Sequence, residues 1–136
     1  MSRRVDHIAI IVRSIEQALP FYRDVLGLTP SEIREVPTEQ VRIAFLPPTD
    51  GRGSEIELIE PTNPTSSLVR FLEKRGEGLH HICLEVDDIE AALREMQEKG
   101  VPVLDKRPRK AAEGRAIFLH PKAANGVLLE LIEKEH

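Results

Sequence analysis

Apolar and polar residues alternate over Leu79-His80-His81-Ile82-Cys83-Leu84-Glu85-Val86, the spacing of a β-strand with two different faces. Ile82, Leu84 and Val86 share one face with His80, while His81, Cys83 and Glu85 share the other. Arg4 to Val12 has the same design, with Ile8, Ile10 and Val12 on one face and His7 on the other. Apolar positions then take helical spacing at Ile15, Ala18, Leu19, Tyr22, Val25 and Leu26. Ser14-Ile15-Glu16-Gln17 fits a capping box at the start of that helix, and Gly27 fits its end. Pro20 lies inside it, where a lost hydrogen bond and a ring clash cost about 3 kcal/mol, so the pattern predicts a kinked helix. Residues 31–36, Val41 to Leu46 and Glu55 to Glu60 read as strands, the last two closed by Pro47-Pro48 and Pro61. Ile56 and Leu58 face one way on the last of these, and Glu55, Glu57 and Ile59 the other.

Leu68, Val69, Phe71 and Leu72 predict a short helix within residues 65–76. A further helix has Asp88 as its N-cap, Ile89, Ala92, Leu93 and Met96 on one face, and a stop at Gly100. Val101 to Leu104, Ala116 to Leu119 and Val127 to Ile132 read as strands, Lys106 to Arg115 as a basic loop, and Ala123 to Gly126 as a turn.

The two halves of this pattern repeat. His7 and His81 are 74 residues apart, as are Ile15 and Ile89, Ala18 and Ala92, and Leu19 and Leu93. Glu57 and Glu130 are 73 apart, so one residue is lost after the helix. Gly53 to Glu60 matches Gly126 to Glu133. Each half reads strand, helix, three strands. This predicts an α+β fold: two βαβββ modules, about residues 4–61 and 78–133, joined by the helix within 65–76 into one domain of residues 1–136. Their strands are expected to form one curved mixed sheet around a cleft.

Taken singly, His7, Glu57, His81 and Glu130 are ordinary strand residues. Their recurrence at matching repeat positions is what an ordinary strand has no reason to produce. Two imidazoles and two carboxylates converging on a concave surface are the ligand chemistry of a divalent metal. The mixed nitrogen and oxygen set suits Zn, Co, Mn, Ni or Fe(II) better than Mg or Ca, which favour oxygen alone. His80, whose repeat counterpart is Asp6, reads either as a support behind the ligands or as structural; His120 reads as a loop residue, and His136 carries no reading.

Charge and composition narrow the partners. A net charge of −4, no Trp and only 4% aromatics disfavour nucleic acid, which needs a basic, stacking surface. No apolar run approaches the roughly 20 residues of a membrane span. Met1-Ser2-Arg3-Arg4 lacks the apolar stretch of a signal peptide. Cys83 is the single cysteine, so no internal disulfide can form; it reads as a small buried side chain in a cytoplasmic protein.

Asp6 to Ala9, Gly78 to Ile89, Phe118 to Lys122 and Gly126 to Leu131 together resemble the methylmalonyl-CoA epimerase family of the vicinal oxygen chelate superfamily. The resemblance covers about residues 4–133. It implies a divalent metal, often cobalt, with Zn, Mn or Ni as other possibilities, and interconversion of (R)- and (S)-methylmalonyl-CoA. By position, His7, His81 and Glu130 match the family's ligands, and Glu57 falls at the remaining ligand position, where some relatives carry Gln. Thr38-Glu39-Gln40-Val41 resembles the segment that bears an acid/base glutamate, matching Glu39. Glu39 and Glu130 would then flank the α-carbon as a two-base pair, Glu130 serving also as ligand. The family's loop before Phe-Leu-His-Pro is typically glycine-rich; here it reads Arg109-Lys110-Ala111-Ala112-Glu113-Gly114-Arg115 and keeps one glycine. With an acyl-CoA substrate, Arg109, Lys110, Arg115 and Lys122 become candidate contacts for phosphate or carboxylate. The family also implies a homodimer. The alternatives are a glyoxalase-like lyase, an Fe(II) dioxygenase of the same superfamily, or a non-catalytic small-molecule-binding protein on this fold.

Overall fold

The computed structural model describes residues 3–135. Met1, Ser2 and His136 lie outside them. The chain forms two compact units, one of His7–His80 and the other of residues 3–6 with residues 81–135.

In the first unit, β1 (Arg3–Ile11) supplies His7 onward. It pairs in parallel with β4 (Glu55–Pro61), which pairs antiparallel with β3 (Val41–Leu46), and β3 with β2 (Glu32–Val36). The strand order is therefore β2-β3-β4-β1. Between β1 and β2 lies α1 (Ile15–Leu19), and after β4 comes α2 (Ser67–Arg75). In the second unit, β5 (Gly78–Val86) supplies His81 onward. It pairs in parallel with β8 (Leu129–Lys134). β7 (Gly114–Leu119) pairs antiparallel with β8 and with the short β6 (Arg109–Lys110), giving the order β5-β8-β7-β6. α3 (Ile89–Glu98) follows β5. Each half thus reads strand, helix, three strands, a mixed α+β fold with eight strands and three α-helices among the described residues.

The cores repeat as the sequence does. Val12, Ile15, Leu19, Leu46 and Leu58 pack together in one unit. Val86, Ile89, Leu93, Leu119 and Leu131 occupy the matching positions in the other. The register agrees as well: Ala9 lies opposite Glu57 and Cys83 opposite Glu130, while Phe45 lies opposite Glu57 and Phe118 opposite Glu130. Each module helix is docked at its first turn by the same device. Ser14 Oγ accepts from the Gln17 amide at 3.2 Å and Glu60 Oε1 from the Ile15 amide at 2.7 Å. Asp88 Oδ1 accepts from Ala91 at 3.1 Å and Glu133 Oε1 from Ile89 at 3.0 Å. The carboxylates satisfy amides that have no partner within the helix and suit its positive end.

Four expectations need correction. The helix through Pro20 is not α-helical throughout; it widens after Leu19. α1 stops at Leu19 and residues 20–25 form one π-type turn, with the Leu26 amide bonding the Phe21 carbonyl at 3.0 Å. Pro20 has no amide hydrogen to continue an α-helical ladder, and the wider turn absorbs the defect. Rotated by that turn, Val25 and Leu26 are exposed rather than in the core. Val101 to Leu104 makes only an isolated bridge, Val103 with Leu119, because Pro102 removes a ladder donor. The segment 106–115 is not wholly a loop, since it holds β6 and the start of β7. The last strand begins at Leu129 rather than Val127.

Candidate functional site

The repeat places one histidine and one glutamate side by side in each unit. In the first, His7 on β1 and Glu57 on β4 are both about 95% buried, and His7 Nδ1 lies 3.1 Å from Glu57 Oε2. In the second, His81 on β5 and Glu130 on β8 are buried to a similar extent, and His81 Nε2 lies 3.2 Å from Glu130 Oε1. Parallel pairing of adjacent strands makes these neighbours, because the histidine stands two residues before the residue that faces the glutamate. A buried carboxylate is costly without a cation or donors nearby. The imidazole supplies a nitrogen that can serve as a donor when protonated or as a metal ligand when neutral. The nitrogen and oxygen donors within each pair suit a borderline divalent cation; an ion that prefers oxygen alone would make poor use of an imidazole.

Glu130 has a second partner. Arg109 Nη2 donates to Glu130 Oε2 at 2.7 Å, its guanidinium lies 4.2 Å from the centre of the Phe118 ring, and its Nε is 3.6 Å from Asp105 Oδ1. The His81 ring meets Phe118 edge-on at 5.3 Å. In the first unit Arg34 lies 4.9 Å over Phe45 and pairs with Glu32 at 2.7 Å. The partnership of Arg109 with Glu130 is not expected from the sequence, where Arg109 reads as a loop cation. The signal that could have found it is the phenylalanine pair: Phe45 and Phe118 are 73 residues apart, as Glu57 and Glu130 are.

Glu39 belongs to the first unit and lies between β2 and β3. It ends a 3₁₀ turn, Pro37–Glu39, and is exposed. Gln40 after it takes a left-handed conformation (φ 55°), held because Thr62 donates its backbone amide to the Gln40 carbonyl at 3.0 Å and the Gln40 side-chain Nε2 donates to Thr65 Oγ1 at 2.8 Å. The turn that carries Glu39 is thereby tied to the loop after β4.

Of the four proposed contact cations, Arg109 is engaged as described and Arg115 pairs with Glu90 at 3.0 Å, both partners exposed. Lys110 and Lys122 are exposed. His120 caps the 3₁₀ turn Pro121–Ala124, its Nδ1 accepting from the Lys122 amide at 2.9 Å, which accords with a loop role. His80 packs on Phe71 at 4.8 Å, and Cys83 is fully buried with Ala116 and Ile132, each as a structural residue would be.

Comparison with known proteins gives a consistent family. The model for the glyoxalase/bleomycin resistance protein/dioxygenase superfamily matches residues 6–118. The mitochondrial methylmalonyl-CoA epimerase of Mus musculus is 38% identical over 94% of the chain and 71% of its own length. The ethylmalonyl-CoA/methylmalonyl-CoA epimerase of Cereibacter sphaeroides is 40% identical over 96% of the chain and 98% of its own length. Among solved structures, a variant of Streptomyces coelicolor methylmalonyl-CoA epimerase in complex with 2-nitronate-propionyl-CoA is 36% identical, covers 98% of each chain and superposes with a TM-score of 0.88.

Proposed function

The chain belongs to the methylmalonyl-CoA epimerase family, and we propose that it interconverts (R)- and (S)-methylmalonyl-CoA by removing and returning the α-proton. The observation that carries the reading is the duplicated buried pair, His7 with Glu57 and His81 with Glu130, on the strands the repeat equates. These four side chains are the proposed holders of one divalent ion, with Co²⁺ favoured and Zn²⁺, Mn²⁺ or Ni²⁺ as substitutes. Such an ion, when bound, supplies positive charge against the oxyanion that develops as the α-hydrogen leaves.

The rest of the chemistry belongs to side chains. The α-hydrogen lies between two carbonyl groups and is therefore acidic enough for a carboxylate to remove. Inversion requires a proton to leave one face and arrive at the other. Glu130 and Glu39 are the proposed acid/base groups, exchanging roles between the two directions. Exposure of Glu39 supports this, because its carboxyl can recover a proton from solvent between turnovers. Lys110, Arg115 and Lys122 are proposed contacts for the phosphates or carboxylate of the substrate, two of them exposed cations and the third held only by a surface ion pair. The single cysteine supports a cytoplasmic setting, and family resemblance supports a homodimer. No helix of the described residues is long and apolar enough to cross a membrane.

The test is epimerisation of one enantiomer of methylmalonyl-CoA before chelation, after it, and after adding back each metal in turn. Activity lost on chelation and restored best by Co²⁺ is the expected result. Activity that survives complete metal removal would leave the four buried residues without their proposed task.

A further inference from the structure

The two oxygens of Glu130 have different partners. Oε1 lies 3.2 Å from His81 Nε2, while Oε2 accepts from Arg109 Nη2 at 2.7 Å. Arg109 is itself fixed on two further sides. Its guanidinium rests on the Phe118 ring at 4.2 Å, and its Nε lies 3.6 Å from Asp105 Oδ1. The other oxygen of Asp105 accepts from the Phe118 amide at 2.6 Å, and Phe118 in turn meets the His81 ring. The contacts close into a circuit: Asp105, Arg109, Glu130, His81, Phe118.

A short charge-assisted bond to a buried carboxylate fixes that carboxylate's orientation. Stacking and the Asp105 contact remove the rotamer freedom that an arginine waiting for a substrate phosphate would keep. With about three-quarters of its side chain buried, Arg109 is oriented inward rather than toward solvent. The shelf is part of the duplicated design, since Arg34 lies over Phe45 beside Glu57 as Arg109 lies over Phe118 beside Glu130.

We propose that Arg109 is a positioning residue: held on Phe118 and Asp105, it occupies one oxygen of Glu130 so that the carboxylate offers only the other beside His81. The proposal rests on the reading of His81 and Glu130 as ligands of a divalent ion. It gives Arg109 a task other than contacting the substrate. Without it, the second oxygen of Glu130 loses its Arg109 donor.

The experiment loads the unmodified protein, Arg109→Met, Arg109→Lys and Asp105→Asn with Co²⁺. It records the visible ligand-field spectrum, the Co²⁺ affinity by titration calorimetry, and kcat and KM separately. Arg109→Met is expected to change the cobalt bands and to lower Co²⁺ affinity or kcat by about 10–100-fold, with KM little altered. Arg109→Lys should recover part of both, and Asp105→Asn should shift the spectrum in the same direction as Arg109→Met but less. A cobalt spectrum and kcat in Arg109→Met equal to those of the unmodified protein, with KM alone raised, would overturn the proposal and return Arg109 to the substrate. If Arg109→Met does not fold, an unchanged spectrum in Asp105→Asn overturns it equally. Failure of the unmodified protein to take up Co²⁺ would instead overturn the metal reading, and this proposal with it.

Discussion

Glu39 and Glu130 are the two proposed acid/base groups, and their surroundings differ. Glu130 is buried against His81 and Arg109, whereas Glu39 is exposed on a tied-down turn. A carboxylate already engaged on both oxygens is a poor partner for bulk water, and an exposed one exchanges protons freely. Glu39→Gln removes the proton carrier and keeps the shape. Metal content should be unchanged, while epimerisation falls about 10²–10⁴-fold in both directions and α-proton exchange falls as far from at least one epimer, as isotope exchange run from each epimer would reveal. Normal turnover by that variant would remove Glu39 from the mechanism. At this scale the paired histidines and glutamates were legible because they recur; a repeat converts four unremarkable strand residues into a pattern. The hold of Arg109 on Glu130 was not legible. It depends on β6 lying beside β7 and β7 beside β8, and a two-residue strand leaves no periodicity to read.

At the scale of elements, strands hold helices through side-chain carboxylates. Glu60 and Glu133 lie one residue before the ends of the strands that carry Glu57 and Glu130, and each reaches the first amide of a module helix. Glu133→Ala should cost about 1–2 kcal/mol in urea unfolding, since it removes a charged acceptor from a helix start and leaves a part-buried amide unpaired. The single glycine of the 109–115 segment also has a local reason. A Cβ at Gly114 would overlap the Glu133 backbone carbonyl on the neighbouring strand. Gly114→Ala is therefore expected to cost more, about 2–4 kcal/mol, because neither strand can move without breaking the ladder. Denaturation of both variants would separate the two effects. The strands and the caps were readable from alternation and from Ser14 and Asp88. The wide turn after Pro20 was not, because apolar residues three and four apart fit an α-helix and a π-turn almost equally well; only the exposure of Val25 and Leu26 tells them apart.

Taken whole, the molecule brings its two ends together within one unit. Lys134 near the end of the chain donates to Asp6 near its start at 2.9 Å. Burial alone would favour the neutral amine, but the bond to Asp6 and the charges of Asp6, Glu85 and Glu113 outweigh it and hold the Lys134 ammonium above the usual lysine range. A raised folded value means the contribution to stability is complete below the unfolded lysine value, about 10.4, and is lost as pH rises through the folded one. The stability gap between the unmodified protein and Lys134→Met, about 1–2 kcal/mol, should hold from about pH 6 to about pH 9 and shrink above about pH 10.5. Urea unfolding across that range would check it; a gap that closes between about pH 6 and about pH 9 would contradict the sign. The same whole-molecule view explains why fold and family were readable together: the offset of 74 and then 73 residues runs through cores, caps and ligand candidates alike.

The central claim is that this chain makes and breaks the α-C–H bond of an acyl-CoA with a metal in place. The most direct measurement is to incubate Co²⁺-loaded protein with one epimer of methylmalonyl-CoA in heavy water and follow the α-carbon by NMR. Deuterium should enter as stereochemical purity is lost, should stop on chelation, and should resume when Co²⁺ is restored. No exchange by a protein that holds its metal would contradict the account and point to a different substrate on the same fold.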